Sequence, residues 1–200
     1  MVLLADDRPR ISAFFPLYNE EANVPTTASN AVAALADLAG EFEVILVDDG
    51  STDRTPAACA ELAAADPRIR VATHPVNRGY GAALRTGFAA ARMDLVTFTD
   101  GDGQFDLHEL DRLLERLPGH EMVIGYRLRR ADRWPRWLTA WAWGVLIGIL
   151  FGVRPRDLDC GFKLFRREVV QGLDLQADGA FISTEMLALA SRAGHRIAQV

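Results

Sequence analysis

Cysteine and lysine are scarce in this sequence. Its 200 residues contain two cysteines, Cys59 and Cys160, and a single lysine, Lys163, although lysine and arginine together number 22. Neither cysteine has a CxxC partner or the spacing of a zinc ligand, which excludes a disulfide framework and predicts a reduced, cytosolic protein. Residues 1–10 also lack the basic start and long apolar run of a signal peptide.

Three common ligand-binding motifs are missing as well. The sequence has no GxxxxGK[ST] phosphate loop, and NRGYGAALRTG at 77–87 lacks the third glycine of a dinucleotide-binding motif. An EF-hand counted from Asp100 would have Phe105 and Asp111 where it requires Gly and Glu. These absences exclude P-loop NTPases, Rossmann-type dinucleotide enzymes and EF-hand calcium proteins.

The charge distribution is uneven. Residues 127–167 contain ten basic and three acidic side chains, a net charge of +7, so the rest of the chain carries −12 of the total of −5. A basic stretch inside an acidic protein predicts a surface for phosphates or anionic lipid, with no nucleic-acid partner.

The order of apolar and polar segments predicts one α/β domain over residues 1–200 with a mostly parallel sheet, covered on both faces. Short β-branched runs predict the strands, at 11–18, 42–49, 69–74, 94–100 and 121–127. Alanine- and leucine-rich segments predict helices between them, at about 20–39, 54–65, 79–92 and 107–117. Asp53 and Asp106 are plausible N-caps.

Polar clusters follow the first four predicted strands. These clusters are PLYNEE (16–21), DDGSTD (48–53), NRGYG (77–81) and DGDGQFD (100–106). Because ligands of such sheets bind beyond the carboxyl ends of the strands, the clusters predict one site along one edge.

The last cluster places Asp100 and Asp102 two residues apart at the end of a strand. Both carboxylates can reach one Mg²⁺ or Mn²⁺ ion, and Gly101 lets the backbone approach a ligand closely. A solvated acidic turn is the alternative explanation of this cluster. Likewise, DDGS at 48–51 is compatible either with a nucleoside site or with an ordinary capped turn.

An uncharged segment of 17 residues, WLTAWAWGVLIGILFGV at 137–153, lies inside the basic stretch. A core helix, a transmembrane span and a membrane-interface helix are the possible interpretations. As a helix it would reach about 25 Å, a little less than a bilayer core. Tryptophans near its start and arginines on both flanks favour an interfacial segment over 133–156.

Five motifs in order resemble those of family 2 glycosyltransferases, most closely the polyprenyl-phosphate glycosyltransferases of the dolichyl-phosphate mannose synthase type. The motifs are PLYNE (16–20), VDDGSTD (47–53), NRGYGAALR (77–85), DGDGQ (100–104) and DLDCGFK (157–163). The resemblance covers roughly residues 11–200. It implies a GT-A fold, a nucleotide-binding α/β sandwich.

The resemblance also implies roles for individual residues. A first group would hold the nucleoside of the donor: Pro16, Tyr18, Glu20, Val47 and Asp49. A second group would hold the metal and the donor diphosphate: Asp100, Gly101, Asp102 and Gln104, with Asp100, Asp102 and Gln104 as the metal set. Arg127 would contact the donor phosphates.

The implied reaction moves a hexose from a nucleotide-diphosphate sugar to a polyprenyl phosphate, undecaprenyl or dolichyl, with inversion at the anomeric carbon, at the cytoplasmic face of the membrane. An ionised phosphate acceptor needs little or no general base, which leaves Asp157 or Asp159 to orient the acceptor or sugar. Lys163 would contact phosphate nearby, unless it merely reflects a composition rich in arginine. Glu185 would face the acceptor, unless it only complements the dipole of its helix.

Two departures limit the resemblance. Mannose synthases often have Ser-Gly-Phe-Arg where this chain has CGFK at 160–163, so the sugar cannot be transferred from them. The chain also ends inside a predicted strand at 196–200, as a fragment lacking donor-side basic residues would.

Other functions considered are a family 2 transferase with another cell-envelope or soluble acceptor, a nucleotidyltransferase, and a non-catalytic sugar-nucleotide binding module. The acidic cluster after the first strand counts against a nucleotidyltransferase.

Overall fold

A computed structural model describes residues 8–100, 106–126 and 160–200. The strands in these residues are β1 (Arg10–Leu17), β2 (Glu41–Asp48), β3 (Ile69–Thr73), β4 (Leu95–Phe98), β5 (Met122–Ile124), β6 (Lys163–Arg166) and β7 (Ile197–Gln199). The α-helices are α1 (Val24–Leu38), α2 (Thr55–Ala65), α3 (Tyr80–Ala90), α4 (Leu110–Arg116), α5 (Arg167–Gly172) and α6 (Ile182–Arg192), and a short 3₁₀ helix, Leu107–Glu109, precedes α4.

The strands form one mostly parallel sheet, as predicted. Within the described residues its order is β3-β2-β1-β4-β6-β5-β7. The strand β6 lies between β4 and β5 and runs antiparallel to both, whereas the other neighbouring pairs are parallel. The first four strands therefore end at the same edge of the sheet, where the polar clusters were predicted to meet.

The sheet is buried on both faces because its central strands carry apolar side chains on both sides. In β1, Ile11, Ala13 and Phe15 pack on one face, beside residues of α1, while Phe14 points to the other face, which α3 covers. On that second face Phe14 stacks on Phe98 with 5.3 Å between ring centroids. This aromatic packing fixes β1 and β4, the two strands that end at the central polar clusters.

The predicted segments agree with the observed elements within a few residues, and both predicted caps accept backbone hydrogen bonds. The carboxylate of Asp106 accepts from the backbone N–H of His108 at 2.9 Å. Asp53 accepts from the N–H of Thr55 at 2.9 Å, although Arg54 occupies the N-cap position of α2. Pro16 lies next to the last residue of β1, beyond the end of the β4 ladder, which pairs only as far as Phe14.

Candidate functional site

The first two polar clusters contact each other directly at the edge of the sheet. The backbone N–H of Asn19 donates to the Ser51 hydroxyl at 3.0 Å, and the N–H of Thr52 donates to Oδ1 of Asn19 at 2.8 Å. Asn19 has a φ of 57°, a left-handed conformation that asparagine tolerates better than most residues. The turns after β1 and β2 therefore form one structure.

The acidic residues beside this contact hold the starts of α1 and α2 together. The N–H of Glu20 donates to Oγ1 of Thr55 at 2.8 Å, and the N–H of Arg54 donates to the carboxylate of Glu21 at 2.8 Å. The N–H of Glu21 donates to Asp53 at 3.2 Å. Burial raises the pKa of Asp53, but its hydrogen bonds with Thr55 and the N–H of Glu21 outweigh this effect, and the pKa lies below its ordinary value.

The residues that the resemblance assigned to the nucleoside lie along this edge in different environments. Tyr18 is 46% exposed, Pro16 and Glu20 are half-buried, and Val47 is buried in the sheet. The carboxylate of Glu20 accepts a hydrogen bond from the side-chain amide of Asn23 at 2.7 Å. The exposed Tyr18 ring is thus the member of this set that offers a broad surface to a ligand.

Asp49 differs from the others because its carboxylate faces inward. The residue is 3% exposed. Its two oxygens accept from the backbone N–H groups of Arg78 and Gly79, each at 2.9 Å, and Oδ1 lies 2.6 Å from Nδ1 of His74. Asp49 therefore holds the turn that leads into α3.

His74 and Thr86 complete this buried network, and sequence analysis missed both. Nε2 of His74 lies 2.8 Å from the Thr86 hydroxyl, and His74 is 5% exposed. A hydroxyl both donates and accepts, so Thr86 can form a hydrogen bond with either tautomer of the ring. The signal available in the sequence was a histidine at the end of the predicted strand 69–74, directly before the NRGYG cluster.

Asp100 brings the third and fourth clusters together. Its Oδ1 accepts a hydrogen bond from the Tyr80 hydroxyl at 3.0 Å. On the other side, a Cβ atom added to Gly161 would lie 3.1 Å from Oδ2 of Asp100, so the backbone of the fifth motif approaches this carboxylate closely. A half-buried carboxylate at the end of a buried strand is the hard oxygen donor that Mg²⁺ and Mn²⁺ prefer.

Lys163 and Glu185, assigned to the acceptor side, make contacts inside the protein. Lys163 is 0% exposed; its ammonium donates to the backbone carbonyl of Cys160 and lies 5.6 Å from the centroid of the Phe98 ring. The carboxylate of Glu185, in the first turn of α6, accepts from the N–H groups of Gln176 and Ala177 at 3.0 and 2.9 Å. The ammonium of Lys163 is therefore directed into the protein.

Several predicted site residues lie outside the described residues: Gly101, Asp102, Gln104, Arg127, Asp157 and Asp159. The apolar segment 133–156 lies outside them as well. In the parts of the chain that the structure describes, no group of three His, Cys, Asp or Glu residues is arranged to hold a metal ion. No helix within those parts has the length and apolarity needed to cross a bilayer.

Comparison with known proteins gives relatives of one family. The profile of Glycosyl transferase family 2 matches residues 12–173. Glycosyltransferase AglD of Haloferax volcanii is 36% identical over 199 residues, 94% of this chain and 32% of the relative. An undecaprenyl-phosphate 4-deoxy-4-formamido-L-arabinose transferase of Pseudomonas aeruginosa is 36% identical over 167 residues, 82% of this chain and 49% of the relative. The chain thus spans half or less of these relatives.

Solved structures give the same result for the fold. Glucosyl-3-phosphoglycerate synthase of Mycobacterium tuberculosis superimposes with a TM-score of 0.74 at 26% identity, over 98% of this chain and 72% of that one. Its complex with Mn²⁺, UDP and glucosyl-3-phosphoglycerate gives a TM-score of 0.69 at 25% identity, over 98% of this chain and 71% of that one. With its mostly parallel sheet, its clustered motifs and these matches, the chain belongs to glycosyl transferase family 2 and has a GT-A fold.

Proposed function

We propose that this protein is an inverting glycosyltransferase that moves a hexose from a nucleotide-diphosphate sugar to a polyprenyl phosphate. The observation that carries the proposal is the meeting of three motif turns with Asp100, the first residue of the fourth motif, at the carboxyl edge of the sheet, in a chain 36% identical to an undecaprenyl-phosphate sugar transferase. Such an edge is where α/β sheets bind nucleotides.

The donor is proposed to lie with its nucleoside against the turns after β1 and β2 and its diphosphate near Asp100. Tyr18 offers an exposed ring to the base and Glu20 lies in the turn after β1, while Pro16 and Val47 pair with each other one residue before the ends of β1 and β2. Asp49 acts by holding the backbone of Arg78 and Gly79 in place, since its carboxylate faces inward.

Mg²⁺ or Mn²⁺ fits the donor chemistry of the carboxylates, with Asp100, Asp102 and Gln104 as the residues that would hold it. When bound, it would neutralise the charge that develops on the departing nucleoside diphosphate. Asp100 is held towards the edge by its contact with Tyr80. Arg127, which ends the predicted strand 121–127, would add a positive charge beside the phosphates.

In the proposed reaction an oxygen of the acceptor phosphate attacks the anomeric carbon from the face opposite the leaving group. A new carbon–oxygen bond forms, the bond to the nucleoside diphosphate breaks, and its electron pair remains on the β-phosphate oxygen. The acceptor oxygen is already ionised at neutral pH, so no residue must remove a proton. Asp157 and Asp159 are proposed to orient the acceptor or sugar, and Lys163 to hold the turn at Cys160.

A soluble phosphorylated acceptor is the second candidate. The observation that favours it is the structural similarity to a synthase solved with glucosyl-3-phosphoglycerate. The two functions share the donor and the metal and differ only in the acceptor.

The decisive experiment incubates the full chain with labelled UDP- and GDP-sugars, Mn²⁺, and either undecaprenyl phosphate in detergent or 3-phosphoglycerate. Label in the lipid phase that requires Mn²⁺ is the expected result. Transfer only to 3-phosphoglycerate would favour the soluble acceptor. Donor binding without transfer to any acceptor would favour a non-catalytic sugar-nucleotide binding module.

A further inference from the structure

Tyr80 makes the side-chain contact that links the third motif to the predicted metal ligand. It is the first residue of α3, and its hydroxyl donates to Oδ1 of Asp100 at 3.0 Å. Both residues are half-buried, and the ring of Tyr80 packs against the aromatic core that contains Phe98. The ring of Tyr80 is therefore held by the core while its hydroxyl reaches the carboxylate of Asp100.

The backbone on either side of Tyr80 is anchored. The N–H of Gly79 donates to Oδ2 of Asp49 at 2.9 Å, and the N–H of Gly81 donates to the carbonyl of Asp178 at 2.7 Å. A Cβ on Gly79 would lie 2.6 Å from the Asp178 carbonyl oxygen, and one on Gly81 would lie 2.1 Å from that of Ala177. Only glycine permits this close approach, which leaves Tyr80 little freedom to move.

The loop at residues 176–178, whose carbonyl groups lie close to Gly79 and Gly81, is held by two charged side chains. Arg85 of α3 donates to the carbonyl of Ala177 at 2.5 Å and pairs with the carboxylate of Asp178. Glu185 of α6 accepts from the backbone N–H groups of Gln176 and Ala177. The backbone at Tyr80 is thus held by Asp49 after β2, by residues 177–178 and, through them, by Glu185 of α6.

The opposite side of the Asp100 carboxylate is restricted as well. A Cβ on Gly161 would lie 3.1 Å from Oδ2 and 3.4 Å from Cγ of Asp100. The carboxylate therefore has the Tyr80 hydroxyl at Oδ1 and the backbone of Gly161, a residue without a side chain, close to Oδ2. Such a carboxylate has little rotational freedom left to lose when it binds an ion.

We infer that Tyr80 is a positioning residue that holds the Asp100 carboxylate in the orientation needed to bind a divalent cation. The inference rests on the proposed function, which makes Asp100 a metal ligand. Hydrogen bonds to a ligating carboxylate orient it, and losing such a bond commonly lowers metal affinity about 10- to 100-fold. Tyr80 does not itself touch the ion or the substrate in this scheme.

The test measures Mn²⁺ binding rather than turnover. Free Mn²⁺ is followed by electron paramagnetic resonance while it is titrated into the full chain at saturating UDP or GDP. Tyr80→Phe removes only the hydroxyl and is expected to raise the Kd for Mn²⁺ about 10-fold, with the thermal midpoint nearly unchanged because the ring still packs. Gly161→Ala places a methyl group 3.1 Å from Oδ2 of the same carboxylate, and it is also expected to raise the Kd for Mn²⁺.

Asp106→Asn is the matched control, because Asp106 belongs to the same acidic run but its Oδ1 is engaged by the backbone N–H and ring of His108. It is expected to leave the Kd for Mn²⁺ unchanged. If the wild-type protein binds Mn²⁺ and Tyr80→Phe binds it equally well, whatever Gly161→Ala does, the inference is overturned while the proposed function stands. If the wild-type protein binds no Mn²⁺ with either nucleotide, the metal role in the proposed function fails, and the inference with it.

Discussion

At the scale of single residues, the buried carboxylate of Asp49 makes contacts that its sequence motif does not specify. DDGS predicted either a nucleoside contact or a capped turn, and the structure gives Asp49 a buried carboxylate with three hydrogen-bond partners. His74, which shares that carboxylate, lies 25 residues away in sequence. No local pattern could assign this pairing, because it depends on how β2 and β3 align in the sheet.

The first prediction concerns Asp49→Ala. The variant leaves the N–H groups of Arg78 and Gly79 and the ring of His74 without their common acceptor, so the free energy of unfolding is expected to fall by about 2–3 kcal/mol. Binding of free UDP or GDP is expected to weaken as well, because the turn before α3 loses its anchor. Urea unfolding and isothermal titration measure the two effects. Asp37→Ala, at an exposed position of α1, is the control, and a stability loss no larger than that control's would refute the structural role.

The second prediction concerns pH and Glu43. Burial raises the pKa of this carboxyl, but hydrogen bonds from Ser12 at 2.7 Å, Arg70 at 2.6 Å and the N–H of Arg92 at 2.8 Å outweigh burial and lower the pKa below its ordinary value. Ionised Glu43 therefore stabilises the fold above the ordinary pKa, and this contribution is lost as the pH falls through the lower, folded-state value.

Glu43→Gln is accordingly expected to be less stable than the wild-type protein at pH 7, and the difference is expected to narrow below about pH 4. The measurement is the urea midpoint of both proteins between pH 7 and pH 3. Two curves that stay parallel over this range would show that Glu43 is not the group responsible.

At the scale of elements, strand and helix alternation was predictable as far as β5, because each run is local and bounded by turn residues. The strand β6 was not predicted. Its four residues, KLFR, show no alternation of apolar and polar side chains, and β6 exists because Lys163–Arg166 pairs with β4 and β5 in an antiparallel ladder. The final strand β7 confirms the strand predicted at 196–200, which pairs with β5.

The third prediction tests the packing of α3 on the sheet. Gly87 lies so close to Phe14 that an added Cβ would be 2.2 Å from the ring. Gly87→Ala gains about 1 kcal/mol of helix propensity but forces the aromatic core apart, and a net loss of about 1–3 kcal/mol in the free energy of unfolding is expected. Gly172→Ala, at the end of α5 with no atom within 4 Å of the added Cβ, is the control and should cost almost nothing. Equal stabilities of the two variants would contradict this packing.

At the scale of the whole molecule, the family, the fold and the common edge at which the first four strands end were predictable, because five motifs stand in the order that the family has. The positions of the side chains along that edge were not predictable from the sequence. Tyr80, His74 and Thr86 gain their contacts only when α3 packs on the sheet, and the inward orientation of Asp49 and Lys163 follows from burial that no short motif specifies.

The fourth prediction concerns the segment 133–156, whose sequence we propose meets the lipid acceptor. Replacing Trp141, Trp143 and Leu146 by serine removes apolar side chains that would anchor the segment at the headgroup boundary. Cosedimentation with vesicles containing anionic lipid and transfer to polyprenyl phosphate are expected to fall, while UDP or GDP binding is retained. An equal loss of nucleotide binding would show instead that the segment belongs to the core.

In the proposed reaction, a metal-bound donor reacts with polyprenyl phosphate at the sheet edge where β1 to β4 end. Its most direct test is the initial rate of label transfer to undecaprenyl phosphate by the wild-type protein and by Asp102→Asn, at saturating donor and Mn²⁺. Loss of one ligand charge is expected to lower the rate by at least about 100-fold, equivalent to about 2.7 kcal/mol of transition-state stabilisation. A variant that transfers sugar at a rate close to that of the wild-type protein would contradict the role of Asp102 as a metal ligand.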